Sequence, residues 1–188
     1  MYRTEHDLVG EKQIDQEAYY GIHSLRAAEN FPITNQRLPG AMIVSMAWIK
    51  KACARANRMA GVLPGRIADA IERACDDLIA GKLHDQFIVD PIQGGAGTST
   101  NMNANEVIAN RAIELLGGKK GDYSLVHPND HVNCGQSTND IYPTCVKMTL
   151  FRACESLLDG LDVLIGALSE RAKAFDGVVK MGRTQLQD

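Results

Sequence analysis

A long apolar stripe near the C-terminal end is the strongest pattern in the sequence. Apolar residues recur there at steps of three and four, the spacing of one face of an α-helix. They are Ile141, Cys145, Met148, Phe151, Cys154, Leu158, Leu161, Ile165, Leu168, Ala172 and Phe175. The stripe passes Gly160 and Gly166 without a change of phase. We therefore predict one long helix over 141–175 and not two shorter helices broken at a glycine.

This predicted helix is apolar on more than one face. A second row comprises Val146, Leu150, Ala153, Leu157 and Leu164. Such a helix would be roughly 50 Å long, whereas a compact domain of this size has a radius of gyration of about 16 Å. We therefore expect partner helices from later sequence or from other subunits. Proline is tolerated in a first helical turn, so Pro143 places the helix start near 138–140.

The preceding sequence predicts shorter elements. Residues 1–38 have no sustained period, which indicates turns, short strands and a helical turn or two. The segment 41–60 is rich in Ala, Met, Ile and Lys and ends at Gly61, and a second apolar face follows between Ile67 and Leu78. These two segments predict an αα-hairpin. The fold class is therefore mainly α.

Two polar clusters lie at predicted helix entrances, at 94–101 (GGAGTSTN) and 135–140 (GQSTND). Asn103 followed by Glu106 fits a capping box and predicts a helix over 103–116. Backbone N–H groups and hydroxyls at a helix N-terminus suit a carboxylate or phosphate. Simple helix capping explains the same residues equally well. The glycine loop matches no nucleotide-binding pattern.

Composition and charge exclude several classes of function. The chain of 188 residues is 45% apolar with a net charge of −3, so it lacks the basic surplus of a nucleic-acid binder. No apolar run is long enough to span a membrane, and no signal sequence is visible, which predicts a cytoplasmic protein. The five cysteines contain no C-x-x-C pair and are expected to be small buried hydrophobes. His127 and His131 predict structural hydrogen bonds and not a metal site.

Three segments together resemble the N-terminal part of the aspartase/fumarase superfamily. They are GGAGTSTNMNANEVIANRA at 94–112, HPNDHVNCGQSTND at 127–140 and KMGRTQLQD at 180–188. The opening stretch around YYGIHSLR at 19–26 is also similar, so the resemblance covers nearly the whole chain. It implies a small helical N-terminal lyase domain at 1–138. The first long helix of a central bundle, cut short, would occupy 139–188.

The resemblance also implies a chemistry. Superfamily members eliminate a group β to a carboxylate and release fumarate, and aspartases expel ammonia from L-aspartate. By resemblance, Thr98, Ser137 and Thr138 would hold the β-carboxylate, Asn139 and Thr184 would contact the amine side, and Gln185 would lie nearby. The elimination needs no metal or organic cofactor, although magnesium activates some members. Family members are homotetramers in which three subunits build each active site.

Two positions favour the aspartate ammonia-lyase branch over fumarases. Gln185 replaces the His of a fumarase G-R-T-H motif, and Ala96 replaces the Ser of G-S-G-T. The family's catalytic base is a serine on a G-S-S-x-M-P-x-K-x-N loop, and this sequence contains no such motif. We therefore expect an N-terminal fragment that is inactive alone. The alternatives are a fumarate hydratase and a non-catalytic helical oligomerisation module.

Overall fold

The computed structural model describes residues 1–182 and 185–186. The chain opens with an antiparallel hairpin of β1 (Tyr2–Asp7) and β2 (Gly10–Asp15). Longer helices follow: α1 (Ile22–Asn30), α2 (Gly40–Met59), α3 (Gly65–Ile79), α4 (Thr98–Leu115) and α5 (Thr138–Phe175). Short helical turns occupy His84–Gln86 and Pro128–Val132, the latter a π-helix. This architecture confirms the mainly α fold class.

The chain divides into two compact units, Met1–Thr149 and Leu150–Asp188. The first unit is built on the predicted αα-hairpin of α2 and α3, with α4 packed against α3. Their contact faces are apolar and almost fully buried, including Ile43, Met46, Ala47, Ile71, Ala74, Leu78, Val107, Ile108 and Ile113. The domain boundary predicted at 138/139 remains a proposal.

Helix α4 begins five residues earlier than the sequence predicted, and the capping box proposed for it is wrong. Asn103 is buried, and its Oδ1 accepts the N–H of Ile88 at 2.9 Å. The Glu106 carboxylate instead accepts N–H groups at the start of α1, including those of Gly21 and Ser24. The residue types of a capping box are thus present, but their partners come from distant segments of the chain. Local spacing alone does not identify those partners.

Helix α5 confirms the prediction of one uninterrupted helix that starts near 138–140. Gly160 and Gly166 lie inside it, and a Cβ atom added at either position would meet no neighbouring atom within 4 Å. Pro143 lies in the second turn, one turn later than we predicted. Its missing N–H would otherwise bond to the carbonyl of Asn139, which is an exposed residue near the helix end. The proline therefore removes a single hydrogen bond where the helix has barely begun.

The second unit contains the remainder of α5 and is exposed in this single chain. Every described side chain from Phe151 onward is exposed. The apolar ones include Leu157, Leu158, Leu161, Val163, Leu164, Ile165 and Leu168, which are 41–75% exposed. Within the described residues, no helix combines the length and apolar character required to cross a membrane.

The cysteines follow the predicted pattern in part. Cys75 and Cys145 are buried, and Cys53 and Cys134 are partly buried. Cys154 is exposed in the second unit, so the expectation of burial is wrong for this residue in the single chain. All five thiols are free. Burial raises the pKa of the Cys145 thiol to about 11, which keeps it protonated at neutral pH.

Candidate active site

The N-termini of α4 and α5 lie side by side in the first unit. The Asn101 side chain, in the first turn of α4, donates from Nδ2 to Thr138 Oγ1 at 3.1 Å. Gly97 precedes α4 with φ +78°, and a Cβ atom at this position would overlap the ring of Tyr142 on α5. The two polar clusters that the sequence predicted separately therefore belong to one region.

Glycines and one glutamine shape the entrance of α4. Gly95 and Gly97 have positive φ values of 73° and 78°, a conformation that glycine adopts without steric strain. The Gln93 side chain accepts the Thr100 N–H at 2.8 Å and donates to the Thr100 hydroxyl, also at 2.8 Å. Gln93 therefore caps the helix. Thr98, the first residue of α4, is exposed at this end.

Ser137 caps α5. Its carbonyl accepts the N–H groups of Asp140 and Ile141 at 3.1 and 3.0 Å, and its hydroxyl accepts the N–H of Asn139 at 3.3 Å. The capping interpretation is thus confirmed for Ser137. A hydroxyl that accepts one hydrogen bond can still donate its own hydrogen. The same holds for Thr138, whose oxygen accepts from Asn101, so both hydroxyls are able to donate to an anion.

A buried polar network beneath these helix ends was not predicted from the sequence. Lys50 on α2 is fully buried, and its Nζ donates to Asn133 Oδ1 at 2.9 Å and to Gln136 Oε1 at 2.8 Å. Asn133 Oδ1 also accepts from the side chains of Asn101 and Asn105, at 3.1 and 3.3 Å. Burial lowers the pKa of Lys50 to about 7. The one sequence feature that points to this network is the position of Lys50 on the apolar face of α2, between the buried Ala47 and Ala54.

The two histidines have the structural role that the sequence predicted. His127 Nδ1 accepts the backbone N–H groups of Asn129 and Asp130 at 3.2 and 3.1 Å. The backbone N–H of His127 donates to His131 Nδ1 at 2.8 Å. Burial lowers the pKa of His131. Among the residues that the structure describes, no three His, Cys, Asp or Glu side chains are grouped closely enough to hold a metal ion.

Ser99 lines a cleft of about 760 Å³ next to the α4 entrance, together with His23, Arg26, His127 and Asn129 among others. His23 Nδ1 lies 3.1 Å from Glu106 Oε1 and donates to this carboxylate, and the bond raises the pKa of His23. The cleft thus has basic side chains on its wall.

For two predicted site residues, the position relative to the ends of α4 and α5 stays a prediction. Thr184 is outside the described residues. Gln185 belongs to the second unit, so its approach to Thr98, Ser137 and Thr138 stays a prediction. The structure therefore brings together four of the six predicted residues, Thr98, Ser137, Thr138 and Asn139, at the adjoining ends of α4 and α5.

The chain is similar over its whole length to curated lyases. The chain is 54% identical over 187 residues to the aspartate ammonia-lyase of Bacillus subtilis and 52% identical over 188 residues to the class II fumarate hydratase of Halobacterium salinarum. Both alignments cover the whole chain but only 39% and 40% of those relatives.

Solved lyase structures match the fold of the whole chain. The fold matches a Brucella melitensis protein named fumarate lyase:delta crystallin with a TM-score of 0.92 at 50% identity, over all of this chain and 44% of that one. A class II fumarase from Schistosoma mansoni matches with a TM-score of 0.89 at 37% identity, over all of this chain and 40% of that one. The family model described as Lyase matches residues 10–188. The chain therefore belongs to this lyase family, within the aspartase/fumarase superfamily.

Proposed function

We propose that this chain supplies the carboxylate-binding part of an aspartate ammonia-lyase, which converts L-aspartate to fumarate and ammonia. The observation that carries the proposal is the hydrogen bond between Asn101 and Thr138, which joins the N-termini of α4 and α5. The two helix N-termini therefore adjoin, and we infer that their hydroxyl side chains share one bound anion. Partial positive charge from both helix ends favours an anion there.

The chemistry of the elimination requires this kind of site. Removal of the proton next to the β-carboxylate turns that group into a doubly negative enediolate. Donors fixed in advance where the charge develops lower the barrier, because they bind the intermediate more strongly than the substrate. We assign this role to the hydroxyls of Thr98, Ser137 and Thr138. Asn139 and Thr184 would bind the amine side, with Gln185 nearby.

Two sequence positions favour L-aspartate over malate as the proposed substrate. Gln185 and Ala96 differ from the residues that fumarases carry in the same motifs. The relatives include proteins of both names at similar identity, 54% and 52%, so overall identity does not separate the two activities. A fumarate hydratase is therefore the second candidate.

The catalytic base would come from sequence beyond this chain. The serine-loop motif of the family is absent from residues 1–188. We expect these 188 residues alone to release no measurable ammonia. We also expect the apolar faces of α5 to pack against helices of other subunits in a homotetramer, because large apolar surfaces rarely stay exposed in water.

The test compares substrates on the complete gene product that contains residues 1–188. Release of ammonia from L-aspartate, with little hydration of fumarate to malate, is the expected result. Preferential turnover of malate would favour the fumarate hydratase. Turnover of neither substrate by a folded protein would favour the non-catalytic helical module.

A matched pair of variants tests the site itself. Thr138→Val removes a hydroxyl at the proposed anion site, and Thr144→Val removes an exposed hydroxyl further along the same helix. We expect kcat/KM for L-aspartate to fall at least about tenfold in Thr138→Val, the loss typical of one hydrogen bond to a charged group. Thr144→Val should retain nearly full activity.

A further inference from the structure

Among the described residues, Lys50 is the most deeply buried cationic side chain. A chain of hydrogen bonds connects it to Thr138 through Asn133 and Asn101. Its side chain is inaccessible to solvent, and among the described residues no carboxylate lies within ion-pair distance of Nζ. Buried lysines are normally paired with a carboxylate. The acceptors here are two neutral amide oxygens, Asn133 Oδ1 at 2.9 Å and Gln136 Oε1 at 2.8 Å.

Hydrogen bonds fix both the oxygen and the nitrogen of each of these two side-chain amides. The nitrogen of Asn133 donates to the Gln136 carbonyl at 3.1 Å, and the nitrogen of Gln136 donates to the Val132 carbonyl at 2.8 Å. Their oxygens consequently face Lys50. Because a charged lysine side chain offers only N–H donors, it cannot face the NH₂ group of either amide favourably. Lys50 thus fixes the turn at 133–136 onto α2.

The orientation of Asn133 determines the orientation of the next amide. Asn133 Oδ1 accepts from Asn101 Nδ2 at 3.1 Å, so the NH₂ group of Asn101 points toward this oxygen. The same NH₂ group donates to Thr138 Oγ1 at 3.1 Å. If the Asn101 amide turned over, its oxygen would oppose Asn133 Oδ1, and the Thr138 hydroxyl would turn inward to donate to it.

We propose that Lys50 is a positioning residue that makes the Thr138 hydroxyl a donor toward a bound carboxylate. The direction of donation runs from Lys50 to Asn133, and from Asn101 to both Asn133 and Thr138. The Thr138 oxygen then receives a hydrogen bond from inside the protein, which leaves its own hydrogen for the ligand. This inference rests on the proposed function, because it concerns the same carboxylate site.

Burial of two further oxygens fits this direction. Among the described residues, Asn101 Oδ1 and Asn105 Oδ1 are buried without a hydrogen-bond partner. Both asparagines nevertheless turn their NH₂ groups toward Asn133 Oδ1. Burial lowers the pKa of Lys50 to about 7. The neutral amine still carries two N–H groups, so it donates to both amide oxygens in either protonation state.

The experiment is a double-mutant cycle on the complete gene product, read out by the inhibition constant of succinate, a dicarboxylate that lacks the amine. We expect Lys50→Met and Thr138→Val each to raise the inhibition constant of succinate at least about tenfold. The inhibition constant of the double variant should lie within about twofold of that of Thr138→Val, because Lys50 acts through Thr138. Lys51→Met, at the neighbouring half-buried lysine, is the control and should leave the constant unchanged.

Independent effects of the two substitutions, or an unchanged succinate constant in a folded Lys50→Met, would overturn the proposal. A merely structural role of Lys50 would lower the folded fraction, and thus kcat per mole of protein, without changing that constant. If Lys50→Met does not fold, Asn101→Leu replaces it in the same cycle with the same two outcomes. If the unmutated protein neither turns over L-aspartate or malate nor binds succinate, the proposed function fails and this inference fails with it. Normal succinate binding with an additive cycle overturns this inference alone.

Discussion

Gly97 lies directly against the ring of Tyr142, so close that any side chain at position 97 would overlap the ring. This contact joins the entrance of α4 to the first turns of α5. Gly97 also has φ +78°, in the left-handed region. Two separate requirements, backbone conformation and close approach, therefore apply to one residue beside the proposed anion site.

Gly97→Ala should consequently lower the free energy of unfolding far more than a Gly→Ala change at another glycine of similar conformation. Gly61 has φ +72° with open space around it and serves as the control. We expect Gly61→Ala to lower the free energy of unfolding by about 1 kcal/mol from backbone strain alone. Gly97→Ala should lower it by about 2 kcal/mol more because of the overlap with Tyr142. Urea unfolding measures both, and equal losses would contradict the contact.

Glu106 should be essential for the stability of the first unit. Its buried carboxylate accepts N–H groups of Gly21, His23 and Ser24 and the Ser24 hydroxyl. In Glu106→Gln one oxygen becomes an NH₂ group that opposes these donors. We expect the free energy of unfolding to fall by about 2 to 4 kcal/mol. The exposed Glu11→Gln is the control and should change it by less than about 0.5 kcal/mol. A small effect at Glu106 would show that α1 does not depend on this carboxylate.

The buried Lys50 should make stability depend on pH. Its pKa is about 7 in the folded chain, against 10.5 as the ordinary value, because burial disfavours the charged form. Between these values the unfolded chain binds more protons, so stability rises with pH, by at most about 1.4 kcal/mol per pH unit for one proton. Below about pH 7 the Lys50 amine is protonated in both the folded and the unfolded chain, so its contribution to the free energy of unfolding no longer changes with pH.

The measurement is urea unfolding between pH 7 and 8, below the pH of about 8.5 at which thiols of the unfolded chain are half ionised. The titratable groups near the Lys50 amine are the Cys53 and Cys75 thiols, and burial raises the pKa of both. They would reverse the slope at higher pH. We expect Lys50→Met to remove the positive slope and Lys51→Met to retain it. An identical slope in all three proteins would mean that Lys50 keeps an ordinary pKa.

The glycines inside α5 provide a test of the continuous helix. Gly160 and Gly166 have no atoms within 4 Å of a Cβ position, so alanine fits at both. Because glycine is the weaker helix former, each Gly→Ala change should stabilise the helix by about 0.5 to 1 kcal/mol. Helical circular dichroism of the chain should persist to higher temperature. Gly177→Ala, beyond the end of α5, should have no such effect. Destabilisation at Gly160 or Gly166 would indicate a break there.

Light scattering tests the exposed face of the same helix. The isolated chain should form dimers, tetramers or aggregates, because the apolar side chains from Phe151 to Phe175 are exposed in a single copy. The triple variant Leu157→Gln, Leu161→Gln, Leu164→Gln makes both exposed apolar rows of α5 more polar and should favour the monomer. A well-behaved monomer of the unmodified chain would contradict the expected packing of α5.

The sequence predicts the elements with strong periodicity and misses the interactions between distant residues. The apolar stripe after Ile141 and the glycine that follows α2 are local signals, and the structure bears both out. The predicted start of α4 was wrong because Asn103 and Glu106 form their hydrogen bonds with residues 14 or more positions away. Lys50 could not be assigned from sequence, since its partners, Asn133 and Gln136, are more than 80 residues distant.

The hydroxyls at the N-terminal ends of α4 and α5 are the proposed ligands of the β-carboxylate of a dicarboxylic amino acid. The most direct measurement is a crystal structure of the complete gene product with succinate bound. We predict one carboxylate within about 2.6 to 3.2 Å of Thr138 Oγ1, with Thr98 and Ser137 also in contact. Succinate bound away from these three hydroxyls would contradict the account.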